Sequence, residues 1–234
     1  MKKMLVSDYD DTFKTTQFSF NANIKGVKRF RSKGYLFTIA TSRDPKFMFR
    51  EIEKHGIEYD YLSCLDGEII FDKNNKIIFN KGIDKESCKE IDRLGNSLKC
   101  IEKIKSLKIE DETLYYYIKT KLFADTNKLK ERLDELLSVK YLKYIHLLGL
   151  FLVQPKHIDK ATSINYIKQL NNLKDENIFT IGDEFNDYNM VKDYNGFTVY
   201  FANPKLYKVS IGHYLNVNNL MKNIEDGTVK VKRK

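Results

Sequence analysis

The stretch Asp8-Tyr9-Asp10-Asp11-Thr12 follows the apolar run Met4-Leu5-Val6 almost at the start of the chain. It places three carboxylates directly after a segment whose pattern predicts a buried strand. On an extended backbone, residues two apart point to the same side, so Asp8 and Asp10 share a side and Asp11 points away. Two such charges about 4 Å apart repel by about 4 kcal/mol at an effective dielectric constant near 20. The stretch therefore predicts a cation at the carboxyl end of this strand.

Strand-like and helix-like stretches alternate in the first third of the chain and again in its last third. Continuous apolar strands separated by helices indicate a parallel sheet that is covered on both faces. The predicted strands cover residues 3–7, 35–40, 59–65, 177–181 and 197–201. The predicted helices cover residues 23–32, 45–55 and 160–170, and a predicted hairpin pairs residues 68–72 with 77–79.

Between these two parts the pattern changes to helix, strand, helix and strand pair. The helix candidates there are residues 85–104 and 126–137, and the strand candidates are residues 114–119, 141–145 and 148–153. The sequence thus predicts an α/β protein with a doubly wound, mainly parallel sheet (a Rossmann-like core) and a small inserted α+β domain. We assign residues 1–82 and 155–234 to the core and residues 83–154 to the insert.

Length and composition fit a cytoplasmic protein. The chain has 234 residues, of which 42% are hydrophobic, and this suffices for a sizeable core. Its apolar runs are too short to span a membrane, and the apolar segment at the N-terminus is too short for a signal peptide. Three cysteines without CxxC spacing are typical of reduced thiols in the cytoplasm. We expect no membrane partner.

The net charge of +9 raises nucleic acid as a possible partner. Four basic residues lie in a C-terminal tail that is expected to be disordered: Lys230, Lys232, Arg233 and Lys234. The other lysines are scattered among acids, as on a solvated surface. We therefore expect no specific nucleic-acid binding, although a basic surface favours anionic small substrates through steering.

Further polar residues stand where ligands bind in open parallel sheets, at the carboxyl ends of the strands. Thr41 follows the second predicted strand, Asp183 follows the fourth, and Lys160 begins the helix before the fourth. Mg²⁺ prefers oxygen ligands and commonly takes carboxylates together with phosphate oxygens. The residues therefore predict a Mg²⁺ site formed by Asp8, Asp10 and Asp183, with Lys160 as a further positive charge for an anionic substrate.

This combination of groups favours phosphoryl transfer. A cation, a lysine and hydroxyl and amide donors can stabilise the transferring phosphoryl oxygens while a carboxylate attacks in line. We predict that Asp8 is the nucleophile and forms an aspartyl-phosphate. Asp10 would protonate the leaving alcohol and then activate the water that cleaves the intermediate. Thr41 would supply a hydroxyl donor.

The chain resembles the haloacid dehalogenase superfamily, because it carries the four signature motifs in order. They are Asp8-Tyr9-Asp10-Asp11-Thr12, then Thr41 in Ile39-Ala40-Thr41-Ser42-Arg43, then Lys160, and finally Gly182-Asp183-Glu184-Phe185-Asn186-Asp187. The insert occupies the position of a type 2 cap. The contexts of the last two motifs are most similar to the Cof-like subfamily with a type IIB cap. Relatives there include sugar-phosphate phosphatases, sucrose-phosphatase and phosphomannomutase.

The resemblance implies a role for each motif residue. Asp8 is nucleophile and Mg²⁺ ligand, and Asp10 is the acid/base whose backbone carbonyl also binds the metal. Asp183 is the remaining protein ligand, and Asp187 is a supporting carboxylate. The implied phosphoryl contacts are Thr41, Ser42, Lys160 and Asn186.

Three positions depart from the pattern of that superfamily. Asp11 and Ser42 stand where relatives usually carry glycine, and Asp66 stands where relatives often carry asparagine before Gly67. The first two positions vary in the superfamily. Asp66 adds a negative charge at the implied substrate entrance, so it bears on which substrate is used.

We therefore predict a Mg²⁺-dependent phosphomonoester hydrolase of the cytoplasm, a monomer or homodimer, that acts on a small phosphorylated metabolite. Sugar phosphates are the first expectation. One alternative is a phosphomutase similar to phosphomannomutase, which returns the phosphoryl group to a sugar. The other is a nucleic-acid-binding protein that uses the basic surface and Tyr115-Tyr116-Tyr117. The ordinary interpretation of these tyrosines is a cap strand, in which Tyr115, Tyr117 and Lys119 are candidates for substrate contact.

Overall fold

The computed structural model describes residues 2–144 and 149–232. The strands are β1 Met4–Ser7, β2 Leu36–Ala40, β3 Tyr61–Cys64, β4 Ile69–Asp72, β5 Ile77–Asn80, β6 Ile101–Ile109, β7 Glu112–Thr120, β8 Val139–Tyr144, β9 Leu150–Pro155, β10 Ile178–Gly182, β11 Asn195–Val199 and β12 His213–Tyr214. The α-helices are α1 Gln17–Ser32, α2 Pro45–His55, α3 Lys85–Ser97, α4 Asn127–Glu135, α5 Lys160–Leu170, α6 Tyr188–Asp193, α7 Pro204–Tyr207 and α8 Val217–Asp226.

Within the described residues, eight strands form one sheet in the order β12-β11-β10-β1-β2-β3-β4-β5. The neighbours from β12 to β3 are parallel, and β4 runs antiparallel to β3. Strands β1, β2, β10 and β11 are buried along their whole length, as expected for a sheet covered on both faces. The predicted fold class is confirmed. Because β2 lies on one side of β1 and β10 on the other, the order of the chain reverses at β1, and ligands bind at such reversal points.

Several core elements differ from the prediction. Helix α1 begins at Gln17 rather than at residue 23, because the Thr16 side chain accepts a hydrogen bond from the Ser19 amide at 3.3 Å and caps the helix there. Strand β11 begins and ends two residues before the predicted strand 197–201. No elements were expected from the sequence at α6, α7, β12 or α8.

The insert contains α3, α4 and an antiparallel sheet in the order β6-β7-β9-β8. The prediction of a helix over residues 85–104 was wrong beyond Ser97, since Ile101 begins β6. Ile101, Ile104 and Leu107 recur at every third residue, a spacing typical of a helix. In the structure, irregular pairing with β7 between Ile101 and Lys103 shifts the register, and such a bulge changes the ordinary two-residue alternation of a strand.

The other insert elements lie within a few residues of their predicted places. In β7, Tyr116 is buried whereas Tyr117 is 39% exposed, which confirms that the tyrosines alternate between the two faces of a strand. Ile145 and Leu148, predicted to belong to the last two strands, lie outside the described residues.

Contacts between Cα atoms divide the chain into two compact units, Met1–Phe79 with Asp159–Lys234, and Asn80–Ile158. The boundaries proposed from sequence, after residues 82 and 154, remain a prediction. None of the helices in the described part of the chain has the length and apolar character that crossing a membrane requires. In the C-terminal tail, which was expected to be disordered, the Lys232 amide donates to Asn195 Oδ1 at 2.8 Å. Arg233 and Lys234 lie outside the described residues.

Candidate active site

Asp8 stands at the carboxyl end of the central strand β1. Its backbone amide donates to the carbonyl of Ile181 in β10 at 3.0 Å, which holds the residue where the order of the sheet reverses. The residue is 6% exposed, so little of its surface is open to solvent. The fold thus places one nearly buried carboxylate where a ligand is expected.

Lys160 neutralises part of this site. Its Nζ donates to Asp8 Oδ1 at 2.6 Å and to Asp187 Oδ1 at 2.7 Å, and the lysine is fully buried. Asp159, whose side chain caps the first turn of α5, places Lys160 at the start of that helix. Burial opposes the ammonium charge, but Asp187 and Asp8 outweigh it and raise the lysine pKa. The lysine is therefore charged at all working pH values.

The last motif folds into a loop that holds two more carboxylates. Asp187 Oδ2 accepts the amides of Asp183 and Glu184 at 2.9 and 3.1 Å. Asp183 Oδ1 accepts the hydroxyl of Thr12 at 2.7 Å, which joins this loop to the one after β1. A Cβ at Gly182 would lie 2.4 Å from Asp187 Oδ2, so the close approach of Asp187 requires glycine there.

The donor set of this cluster fits a hard divalent cation. One carboxylate oxygen from each of Asp8, Asp183 and Asp187 lies within 4.8 Å of the other two. Burial raises the pKa of Asp8 well above its usual value even beside Lys160, and burial raises the pKa of Asp183 to about 6. Three acids against one lysine leave negative charge that a cation would neutralise. Asp187 already accepts three hydrogen bonds, so Asp8 and Asp183 retain more capacity for a metal.

Asp10 is the predicted ligand whose carboxylate lies outside this cluster. Its two carboxylate oxygens accept from Arg43 Nε at 2.8 Å and from Arg43 Nη2 at 3.0 Å. The guanidinium also stacks on Phe47, with its carbon 4.6 Å from the ring centre. The Asp10 carbonyl, which the resemblance assigns to the metal, accepts the Thr12 amide at 2.7 Å.

Asp66 connects the other predicted phosphoryl contacts. Asn186 Nδ2 donates to Asp66 Oδ1 at 3.1 Å, and the Asp66 amide donates to the Thr41 carbonyl at 3.0 Å. Thr41 is buried, and its Oγ1 accepts the Arg43 amide at 3.1 Å, which leaves the hydroxyl hydrogen available to a ligand. Ser42 is exposed. Asp66 thus links Thr41 and Asn186 by hydrogen bonds. Its negative charge also helps to raise the pKa of Lys160.

Arg43 and the Thr12 hydroxyl were not among the predicted site residues, although both residues lie in the motifs quoted above. Their positions could have indicated a role in the site, because each residue comes two residues after a predicted site residue that follows a strand. A long arginine side chain can reach several partners, so its pairing with Asp10 does not follow from position alone.

The comparisons with known proteins agree with this geometry. The family model for haloacid dehalogenase-like hydrolases matches residues 5–122 and 93–211. Among functionally curated proteins, no significant match is found.

Solved structures share the whole fold at low sequence identity. A haloacid dehalogenase-like hydrolase from Bacteroides thetaiotaomicron is 15% identical with a TM-score of 0.77, over 96% of this chain and 100% of that chain. A putative HAD/COF-like hydrolase from Plasmodium vivax is 16% identical with a TM-score of 0.75, over 96% and 95%. A subclass IIB sugar phosphatase of the superfamily is 17% identical with a TM-score of 0.70, over 95% and 99%.

Proposed function

Because the chain belongs to the family of haloacid dehalogenase-like hydrolases, we propose that it is a Mg²⁺-dependent phosphomonoester hydrolase that works through an aspartyl-phosphate. The observation that carries the proposal is the environment of Asp8. Lys160 holds its Oδ1 at 2.6 Å, whereas Oδ2 has no hydrogen-bond donor among the described residues. A carboxylate with one anchored oxygen and one free oxygen is prepared for in-line attack on phosphorus.

In the first step, Asp8 Oδ2 forms a bond to phosphorus while the bond from phosphorus to the ester oxygen breaks. Asp10, which enters this step protonated and separated from Arg43, gives its proton to the departing alkoxide, which leaves as an alcohol. In the second step, Asp10 takes a proton from water as the water oxygen attacks phosphorus, and the bond to Asp8 breaks. Inorganic phosphate leaves and both carboxylates return to their starting states.

The remaining residues bind and orient the phosphoryl group. Lys160, Thr41, Ser42 and Asn186 supply its positive charge and its hydrogen-bond donors. Asp8, Asp183 and the Asp10 carbonyl would hold Mg²⁺, with Asp187 in support, and the bound ion would neutralise charge on the phosphoryl oxygens. The Arg43–Asp10 pair has to open before Asp10 can transfer a proton to a leaving group.

The proposed substrate is a small phosphorylated metabolite, with sugar phosphates first. The subclass IIB sugar phosphatase among the structural neighbours supports this choice. The free thiols of Cys64, Cys88 and Cys100 support a place in the cytoplasm. We expect a monomer or homodimer that binds neither membrane nor specific nucleic acid.

The test is Mg²⁺-dependent turnover of p-nitrophenyl phosphate, followed by a panel of phosphorylated metabolites. Asp8→Asn should abolish turnover, and EDTA should abolish it reversibly. Asp226→Asn, an exposed carboxylate at the end of α8, should leave turnover unchanged. Activity that persists in Asp8→Asn would refute the mechanism, and conversion of glucose 1-phosphate into the 6-phosphate would identify a phosphomutase instead.

A further inference from the structure

One face of α2 contacts the loop that carries Asp8 and Asp10. Phe47, Glu51 and His55 are spaced by four residues and therefore share that face. Glu51 Oε2 accepts the hydroxyl of Tyr9 at 2.7 Å and forms an ion pair with Lys14, and His55 Nε2 lies 3.9 Å from the same oxygen. The Glu51 side chain is 13% exposed and the Lys14 side chain 37%, so the carboxylate is largely shielded from water while Lys14 is partly open to it.

Residues 8–14, which we term the nucleophile loop, form a compact turn. The Lys14 amide donates to the Tyr9 carbonyl at 2.7 Å, and the Asp11 amide donates to the Lys14 carbonyl at 3.1 Å. Asp11 has a φ of 54°, in the left-handed region that such a tight turn requires. Tyr9 lies between the two site carboxylates in sequence and is fully buried. A displacement of Tyr9 is therefore transmitted to the backbone of both Asp8 and Asp10.

We infer that Glu51 is a positioning residue. By holding Tyr9 and Lys14, it fixes the positions of the proposed nucleophile Asp8 and the proposed acid/base Asp10. The Tyr9 hydroxyl is the donor of this contact and Glu51 Oε2 is its acceptor. A hydrogen bond from a buried hydroxyl to a carboxylate is short and strongly directional. Arg43, just before α2, holds Asp10 from the other side. Helix α2, through Glu51, and Arg43, two residues before the helix, thus contact the nucleophile loop at two separate points.

The inference rests on the proposed function, because it concerns the placement of the two proposed catalytic carboxylates. Asp8 and Asp10 must meet the phosphorus atom and the ester oxygen within fractions of an ångström, and small misplacements are costly for the rate. Glu51 touches neither group, so its loss should lower kcat and leave substrate affinity nearly unchanged.

The decisive variant is Tyr9→Phe, which removes one hydroxyl and keeps the ring in the core. Its matched control is Tyr194→Phe, because Tyr194 is also buried and its hydroxyl donates to Asn165 Oδ1 at 2.8 Å. We expect both variants to lower Tm by similar amounts. Only Tyr9→Phe should lower kcat on p-nitrophenyl phosphate, by about tenfold or more, with KM within about twofold.

Glu51→Gln tests the same contact from its acceptor side. It also serves as the test variant if Tyr9→Phe does not fold. The double variant of Tyr9→Phe and Glu51→Gln should lower kcat no more than the larger single variant, since Tyr9→Phe removes one of the two contacts that Glu51→Gln already weakens. Losses in kcat that multiply would mean that the two residues act separately and would overturn the inference.

Amide hydrogen exchange supplies a readout that needs no turnover. In Tyr9→Phe, the amides of Asp11, Thr12 and Lys14 should exchange about tenfold faster, while the amides of β1 are unchanged. If wild-type protein shows no turnover, the proposed function fails, and the exchange rates alone decide whether Tyr9 and Glu51 hold the loop. If wild type is active and Asp8→Asn is not, a kcat for Tyr9→Phe equal to that of Tyr194→Phe overturns the inference. Unchanged exchange at residues 11–14 overturns it as well.

Discussion

Two groups of opposite charges lie at the carboxyl end of the sheet, and they differ in their exposure to water. One is Lys160 with Asp8 and Asp187, which we term the Lys160 cluster, and the other is the Arg43–Asp10 pair. The side chains of Lys160 and Asp187 are fully buried and that of Asp8 is 9% exposed. The side chains of Arg43 and Asp10 are 47% and 38% exposed. Asp8 is therefore fixed in one place, whereas Asp10 can leave its partner at little cost. That difference suits a nucleophile on the one hand and a proton carrier on the other.

The largest expected effect comes from removing the cation of the Lys160 cluster. Lys160→Met leaves two buried carboxylates without their partner, which typically costs 3–5 kcal/mol, so we expect a loss of about that size in the free energy of unfolding. Urea denaturation measures it, and phosphatase turnover should disappear as well. Lys168→Met in the same helix is the control, because Lys168 and Asp175 form a partly exposed pair, with side chains 29% and 32% exposed. The control should lose about 1 kcal/mol or less, and equal losses would refute the distinction between the two environments.

Magnesium should stabilise the protein more at pH 7.5 than at pH 5. The pKa of Asp8 is raised and that of Asp183 is raised to about 6, so protonation of these acids stabilises the metal-free fold at low pH. The contribution of Asp183 is lost as pH rises through about 6. Mg²⁺ binds the deprotonated acids, and at a hundredfold excess over Kd it would add about 2.7 kcal/mol. Thermal unfolding with and without Mg²⁺ at both pH values measures the difference. A Tm increase that is the same at both pH values would contradict the assignment of these acids to the metal.

A smaller effect is expected at the exposed pair. Arg43→Ala removes two hydrogen bonds to Asp10, as many as Lys160 makes to Asp8 and Asp187 together. Because the pair is exposed, we expect a loss of only about 0.2–1 kcal/mol in the free energy of unfolding. Urea denaturation measures this loss, and the value is compared with the loss in Lys160→Met. A loss above about 3 kcal/mol would show that Asp10 is held as firmly as Asp8.

The smallest effect is expected at Asp66, which accepts a hydrogen bond from Asn186 Nδ2 at 3.1 Å and whose charge acts on Lys160. Asp66→Asn keeps an oxygen to accept the Asn186 amide and tolerates the φ of 54° at this position, but it removes a negative charge. We expect unchanged stability and about a twofold lower KM for a dianionic phosphate ester, since a partly exposed charge is strongly screened. Steady-state kinetics at low and high salt measure the change. A KM that increases would mean that the Asp66 charge assists substrate binding.

The residues at the carboxyl edge of the parallel sheet could be predicted from sequence, because few strand arrangements fit the pattern of buried strands followed by polar residues. Buried strands followed by Asp8, Thr41 and Asp183 have to form parallel neighbours, and parallel strands bring their carboxyl ends to one edge. The insert was harder to predict, since Ile101, Ile104 and Leu107 of β6 have the apolar spacing of a helix. The irregular pairing between Ile101 and Lys103 also interrupts the alternation of a strand. The partners of Asp10 and Tyr9 were also missed, because Arg43 and Glu51 reach them across the fold and no local pattern encodes such a contact.

The most direct test is to identify the phosphorylated side chain. Borohydride reduces an acyl phosphate to an alcohol, so protein trapped during turnover with Mg²⁺ and a phosphate ester can be digested and its peptides sequenced by mass spectrometry. We predict that the reduced residue is Asp8, that it appears only when substrate and metal are both present, and that Asp183 and Asp187 are unchanged. Reduction at another residue, or turnover without any trapped intermediate, would contradict the claim that Asp8 attacks phosphorus.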